Sequence, residues 1–384
     1  MLHQNSVFHS LLKHVPWYKL EQIVEKYGAD ELARKLSTKR HLIALLYGQL
    51  SGAVSLREIV SGMASHATRL YHLGAAPVKR STMSDANSER PWQVFSELFS
   101  AMLPQAHRRL QRAVGQAIRL IDSTTLRLSS LSGEWATFSS SMCGAKAHII
   151  YDPDTDRPVY FAVTPANVND ITAAKAMPIE PGATYAFDLG FYDYRWWADL
   201  DDAGCRFVTR LKKNTPFTVL HEKRVARNSN IISDRIGRLP QRLAASRKNP
   251  LQVPVREIRV IIETGKMLRI VTNDLDAPAQ EIADIYKQRW QIELFFRWVK
   301  QTLRIKRFIG VSENAVRIQI AVALIAFLLL RMAQATQKAV RRPLEFVRLV
   351  RTNLMHRRPI ERLLEPLQPI ETSPNQLRLA LYFP

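Results

Sequence analysis

The sequence predicts an α/β protein: a mixed sheet with helices packed on it fills the middle of the chain, between a helical N-terminal and a helical C-terminal region. Three features of the 384-residue chain point there. Residues 1–110 read as helical. From about residue 115 the texture changes to short apolar strands separated by turn residues. A long amphipathic segment, residues 278–304, then closes the strand region.

In order along the chain, Ser55-Leu-Arg-Glu58 has the form of a capping box that opens a helix. Gly74 and Pro77 break the pattern before a second helix bearing Arg80, Ser81, Thr82, Ser84 and Asn87. These residue types can reach phosphates and base edges, so the pair reads as a helix-turn-helix-like DNA-binding element. A small helical bundle with a polar loop is the alternative. Ala117 to Asp122 is an apolar core strand ending in an acid, and Ala147 to Tyr151 and Val159 to Val163 complete an antiparallel meander. The DxDxD look of Asp152, Asp154 and Asp156 between them lacks the Gly and distal Glu of a calcium loop and reads as a hairpin turn. A connecting helix from Asp170 to Met177, a strand Tyr185 to Phe187 delivering Asp188, a helix Tyr194 to Asp202 and a strand Arg206 to Leu211 follow. Residues 212–255 are basic with little periodicity and look like an insertion before strands at Val255 to Ile262 and Met267 to Thr272. The expected domains are thus 1–110, 111–340 with an insertion at about 212–265, and a basic helical region, 341–384.

A formal charge of +21, from 55 basic and 34 acidic residues, fits an electrostatic footprint for nucleic acid. A ribosome-associated protein or an anionic-membrane binder would share it. Cys143 and Cys205 form no CxxC and lie near no His pair, so a disulfide scaffold and a structural zinc site are not expected, and a reducing cytoplasm fits. The first residues lack the apolar core of a signal peptide. The longest apolar run, Ile320 to Leu330, is too short to span a bilayer and reads as a core helix, so no membrane partner is expected.

The segment 278–304 carries most of the chemistry. Tyr286, Arg289, Glu293 and Lys300 share one face, within an arc of roughly 60° at about 100° per residue. Arg297 and Arg304 fall close to it. One carboxylate thus sits in a stripe of cations suited to a polyanion, where it repels phosphates unless a metal lies between. Asp122 and Asp188, each at a strand end, are the acids that the coarse fold could bring to Glu293. Three such carboxylates suggest a site for two Mg²⁺ ions and in-line displacement at phosphorus. For a lone Asp at a strand end, a turn or cap is the plainer reading. His148 reads as a core or edge residue, and Ser123, Thr124 and Thr125 have no His placed to make a hydrolase triad.

The spacing Tyr286-x2-Arg289-x3-Glu293-x6-Lys300, with Asp122 in LIDSTT and Asp188 in FDLGFYDY, resembles the YREK signature of the fourth family of bacterial insertion-sequence transposases. The resemblance covers about 115–340. It implies an RNase H-like catalytic core with a DDE triad of Asp122, Asp188 and Glu293, a mainly β insertion before the Glu helix, and Mg²⁺ (two ions, Mn²⁺ as a substitute). It also implies a homodimer in the bacterial cytoplasm, at the nucleoid. That dimer would bind double-stranded DNA at terminal inverted repeats, cleave the element ends and transfer 3′-hydroxyls to target DNA. Tyr286, Arg289 and Lys300 would hold backbone phosphates. Some members open the DNA end through a hairpin and hold a flipped base on an aromatic of the insertion, but residues 215–265 offer only Phe217. Trp290 and Trp298 have helical positions that favour core packing. A structure-specific nuclease on the same fold and a non-catalytic DNA-binding protein are the alternative functions.

Overall fold

In the computed structural model of the chain, residues 6–110, 117–139, 142–226, 229–244, 247–303, 308–337, 340 and 342–365 are described. The N-terminal region is helical, with α1 (Val7–Leu12), α2 (Trp17–Lys26), α3 (Thr38–Ser51), α4 (Leu56–Ser65), α5 (Ala67–Leu70), α6 (Arg80–Glu89) and α7 (Trp92–Leu110). Ser6, Ser37 and Ser55 cap α1, α3 and α4, each side chain accepting from an amide three residues on. At Ser55 the reciprocal bond differs from the expected box: Glu58 accepts from the Val54 amide, 2.9 Å away.

The strand region runs β1 (Ile118–Leu128), α8 (Gly133–Ala136), β2 (Thr137–Ser139), β3 (Met142–Asp152), β4 (Arg157–Pro165), α9 (Asp170–Lys175), β5 (Thr184–Phe187), α10 (Tyr194–Asp202) and β6 (Arg206–Arg210). Strand β1 pairs antiparallel with β3 and parallel with β5, β3 pairs antiparallel with β4, and β5 pairs parallel with β6. This is the RNase H-like order. The basic stretch that looked aperiodic holds β7 (Thr218–Lys223), β8 (Ile231–Arg238), β9 (Arg242–Ala244) and β10 (Arg247–Lys248), followed by β11 (Val255–Ile261) and β12 (Met267–Thr272). Strand β12 pairs with β6, and β11, β8 and β7 extend the same sheet outward, while β9 and β10 form a small two-stranded sheet of their own. The buried acids of the extension are paired with arginines. Arg256 makes a two-pronged bond to Asp234, both contacts at 2.7 Å, and the fully buried Glu257 is ringed by Arg235, Arg259 and Arg269.

Side-chain alternation divides the core in two. Leu120, Ile149, Ala186, Val208 and Ile270 face one layer, which also takes in the N-terminal helices. Their chain neighbours Ile121, Ile150, Tyr185, Phe187, Phe207 and Val271 face the other, against Trp196, Trp197 and Leu200 of α10. Over the first face lie α11 (Ala279–Gln288), α12 (Trp290–Thr302) and α13 (Glu313–Thr336), and α14 (Pro343–Asn353) follows. The apolar run at Ile320 belongs to α13, a helix long enough to cross a bilayer, yet 89% of its most apolar window is buried inside the protein.

Two expectations are corrected here. The segment 278–304 is two helices, because the hydrogen-bond ladder tightens at Arg289. The Arg289 amide bonds to the Tyr286 carbonyl and the Ile292 amide to the Arg289 carbonyl, both three residues back. Asn87, expected to touch DNA, is buried, because its side-chain oxygen takes a 2.8 Å bond with the equally buried His41. Arg80 and Ser81, on the same helix, are exposed, and Thr82 is half-buried.

Burial, with the Arg90 guanidinium nearby, pushes His41 down to about 3. The unfolded imidazole titrates near 6.5, so below that pH the unfolded chain binds the extra proton. Stability from this residue should therefore be complete above about pH 6.5 and fall by up to about 1.4 kcal/mol per unit as the pH drops toward 3. Comparing denaturation midpoints of wild type and His41→Gln from pH 7 to 4 checks this: the variant should show the shallower dependence.

Candidate active site

The pairing of β1 with β5 brings two acids together: Asp122, which lies within β1 and not at its end as expected, and Asp188, just past the end of β5. Leu120 lies beside Ala186 and Ile121 beside Phe187, so the next residues of the two parallel strands are Asp122 and Asp188. Alternation turns both toward the face that carries Leu120 and Ala186, where α12 packs. Asp122 accepts from the Ser123 amide at 2.7 Å. Asp188 accepts from the Gly190 amide at 2.7 Å and so closes the 3-10 turn Leu189–Phe191.

Glu293 enters from the first turn of α12 and accepts from Arg289 Nη2 at 2.7 Å. The other arm of the same guanidinium, Nη1, lies 3.7 Å from Asp122 Oδ2. Arg289 therefore stands between the strand acid and the helix acid. Burial pushes the Asp122 carboxyl up to about 7; the Ser123 amide and Arg289 oppose this, while Asp188 and Glu293 add to it. Among the described residues, no three His, Cys, Asp or Glu side chains are close enough as they stand to hold one metal ion. The donor set nonetheless suits a hard divalent cation: all three are carboxylates, and the most buried of them has its charge suppressed by burial and by its two acidic neighbours.

The cationic stripe is spread over different depths. Tyr286 is buried, with the guanidinium carbons of Arg210 and Arg289 at 6.0 and 5.9 Å from its ring centre, and burial raises its hydroxyl above the usual phenol range. An outward phosphate contact by Tyr286 is therefore corrected to a ring that supports the two arginines. Lys300 donates to the Thr125 carbonyl at 3.1 Å, which ties α12 to β1 three residues beyond Asp122. Arg297 is exposed, and Arg304 lies outside the described residues.

A cavity of about 770 Å³ opens beside Arg289, walled by Ile262 and Leu268 of the β11–β12 hairpin and by Arg210, Tyr286 and Trp290. Trp290 is 52% exposed, against the expectation of core packing. Trp298 does pack inward, edge-on to Phe327 at 5.0 Å. Sequence reasoning missed Arg210, which carried no signal beyond a basic residue ending a strand. It also missed Asp170, read only as the start of a helix; its side chain accepts from Ser123 Oγ at 2.7 Å.

The chain is similar to known transposases. A family described as "Transposase DDE domain" matches residues 114–329, and one described only as a domain of unknown function matches residues 3–76. A putative transposase, y4zB, of Sinorhizobium fredii is 40% identical over 284 residues, 74% of this chain and 80% of that protein. A probable transposase for insertion sequence element IS5377 of Geobacillus stearothermophilus is 27% identical over 367 residues, 89% of this chain and 92% of that protein. Among solved structures, a piggyBac transposase synaptic complex with hairpin DNA aligns over 95% of this chain and 83% of that one. Its TM-score is 0.45 at 12% identity, a likeness that carries nothing about the site.

Because Arg289 answers two acids at once, Arg289→Ala should leave both without their cation and destabilise the protein by about 1–3 kcal/mol in metal-free buffer. Added Mg²⁺ should recover part of the loss. Thermal melts of the two proteins with chelator and with Mg²⁺ check this; equal losses in both buffers would contradict it.

Proposed function

The chain belongs to the family of DDE-domain transposases, and on that premise we propose that Asp122, Asp188 and Glu293 are its catalytic triad in cut-and-paste transposition. The observation that carries the reading is the β1–β5 register, which sets Asp122 beside Asp188 on the face covered by the Glu293 helix. Dependence on a divalent metal comes with the family. The three carboxylates would hold two Mg²⁺ ions, with Mn²⁺ as a substitute, and the ions would activate the attacking oxygen and stabilise the leaving one.

The side chains position the DNA. In the free protein Arg289 is occupied by Glu293 and Asp122. When metal neutralises those acids, the guanidinium is released to a backbone phosphate, which it suits through its planar fork. Lys300 lies two turns along from Glu293, roughly 10 Å away, and so meets a neighbouring nucleotide. Arg297, exposed on the same helix, extends the cationic track. The helices of residues 1–110 would bind the terminal inverted repeats, with Arg80, Ser81 and Thr82 facing the duplex. A homodimer would pair the two ends before the 3′-hydroxyls are transferred to target DNA. The exposed Trp290, which lines the cavity beside Arg289, would supply the indole that the insertion lacks should the end be opened through a hairpin.

Glu293→Gln should abolish Mg²⁺-dependent cleavage of an inverted-repeat end while binding persists; unchanged cleavage would remove Glu293 from the triad. Lys300→Ala should weaken end binding and flatten its salt dependence by about one unit of slope. Binding isotherms at several salt concentrations read that slope, and an unaltered value would count against a phosphate contact.

A further inference from the structure

The residue after Asp122 and the turn after Asp188 share one neighbour. Ser123, whose side chain leaves β1 on the face opposite Asp122, donates through Oγ to Asp170 Oδ1 at 2.7 Å. The other oxygen of Asp170 faces Gly190. A Cβ built on Gly190 would lie 3.4 Å from Asp170 Oδ2 and 3.0 Å from Asp188 Oδ1, so both carboxylates lie close against this residue. The backbone amides of these same two residues, Ser123 and Gly190, hold the carboxylates of Asp122 and Asp188, each at 2.7 Å.

Asp170 is itself fixed from β3. Lys146 Nζ stands 3.1 Å from Asp170 Oδ1 and donates to the Val168 carbonyl at 2.9 Å. His148 Nδ1 is 3.8 Å from the same oxygen, in a fully buried ring that burial keeps neutral at ordinary pH. Lys146 thus supplies the countercharge, and the carboxylate, 24% exposed, is held at the base of α9.

The geometry points to Asp170 as a positioning residue: by gripping Ser123 and backing Gly190, it aims the two amides that orient the aspartates for a divalent cation. The inference rests on the reading of Asp122 and Asp188 as metal ligands. Partners of this outer kind typically contribute about 10- to 100-fold in metal affinity. Mn²⁺ binding to the full-length protein, measured by titration with Mn²⁺ alone, is the test. Asp170→Ala and Ser123→Ala should each weaken Mn²⁺ binding about 10-fold while metal-free binding to an end duplex is unchanged. Asp170→Asn, which keeps an oxygen for the Ser123 hydroxyl, should bind Mn²⁺ more tightly than Asp170→Ala. If Asp170→Ala fails to fold, Ser123→Ala and Asp170→Asn carry the comparison.

Wild-type Mn²⁺ affinity in both Asp170→Ala and Ser123→Ala would overturn the inference and leave the metal site standing. If Asp122→Asn binds Mn²⁺ as wild type does, the reading of the metal site falls, and the inference falls with it.

Discussion

Carboxylates gathered in a half-buried place repel one another and resist ionisation, so a fold that collects three of them must supply positive charge. Here Arg289 supplies it in the free protein, between Asp122 and Glu293. On the proposed reading a divalent metal would take that place in the working complex and free Arg289 for the DNA. The cation-rich helix face and the acids are therefore one electrostatic unit, and the spacing of Arg289 and Glu293 by one helical turn is what lets them pair.

The rest of the molecule keeps that unit in register. Parallel pairing fixes Asp122 against Asp188, and the extension of the sheet through β12 to β7 gives α11 a surface to lie on. The far end of α12 is held from outside the sheet. Arg351 of α14 donates to the Thr302 carbonyl at 2.7 Å and to Leu50 of α3 at 3.2 Å, and Gln49 bonds the Leu303 carbonyl. N-terminal, central and C-terminal segments consequently share one apolar core, which couples the first helices to the helix that carries Glu293.

How much of this was legible depended on which force placed each residue. Strands β1, β3, β4, β5 and β6 were readable because alternation and apolar runs directly report burial on two faces. So were the two aspartates, as acids ending such runs. Strands β7 to β10 were not, since β7 is exposed along most of its length and β8 carries Asp234 and Arg235, whose partners Arg256 and Glu257 lie on β11, 22 residues along the chain. Asn87 looked like a polar surface residue, because nothing local announces a buried histidine 46 residues earlier. The break at Arg289 was hidden as well: the residue keeps helical backbone angles, and only the hydrogen-bond ladder shifts. Tyr286 is buried and Trp290 exposed, each the reverse of what was expected of it.

On the proposed reading, metal and Arg289 compete for the same carboxylates. A crystal structure of the protein with a cleaved end duplex and Mn²⁺, with anomalous scattering recorded at the manganese edge, tests it most directly. The account predicts anomalous peaks bounded by Asp122, Asp188 and Glu293, with the Arg289 guanidinium moved onto a DNA phosphate. Manganese bound elsewhere, or bound here with Arg289 still bridging Asp122 and Glu293, would contradict it.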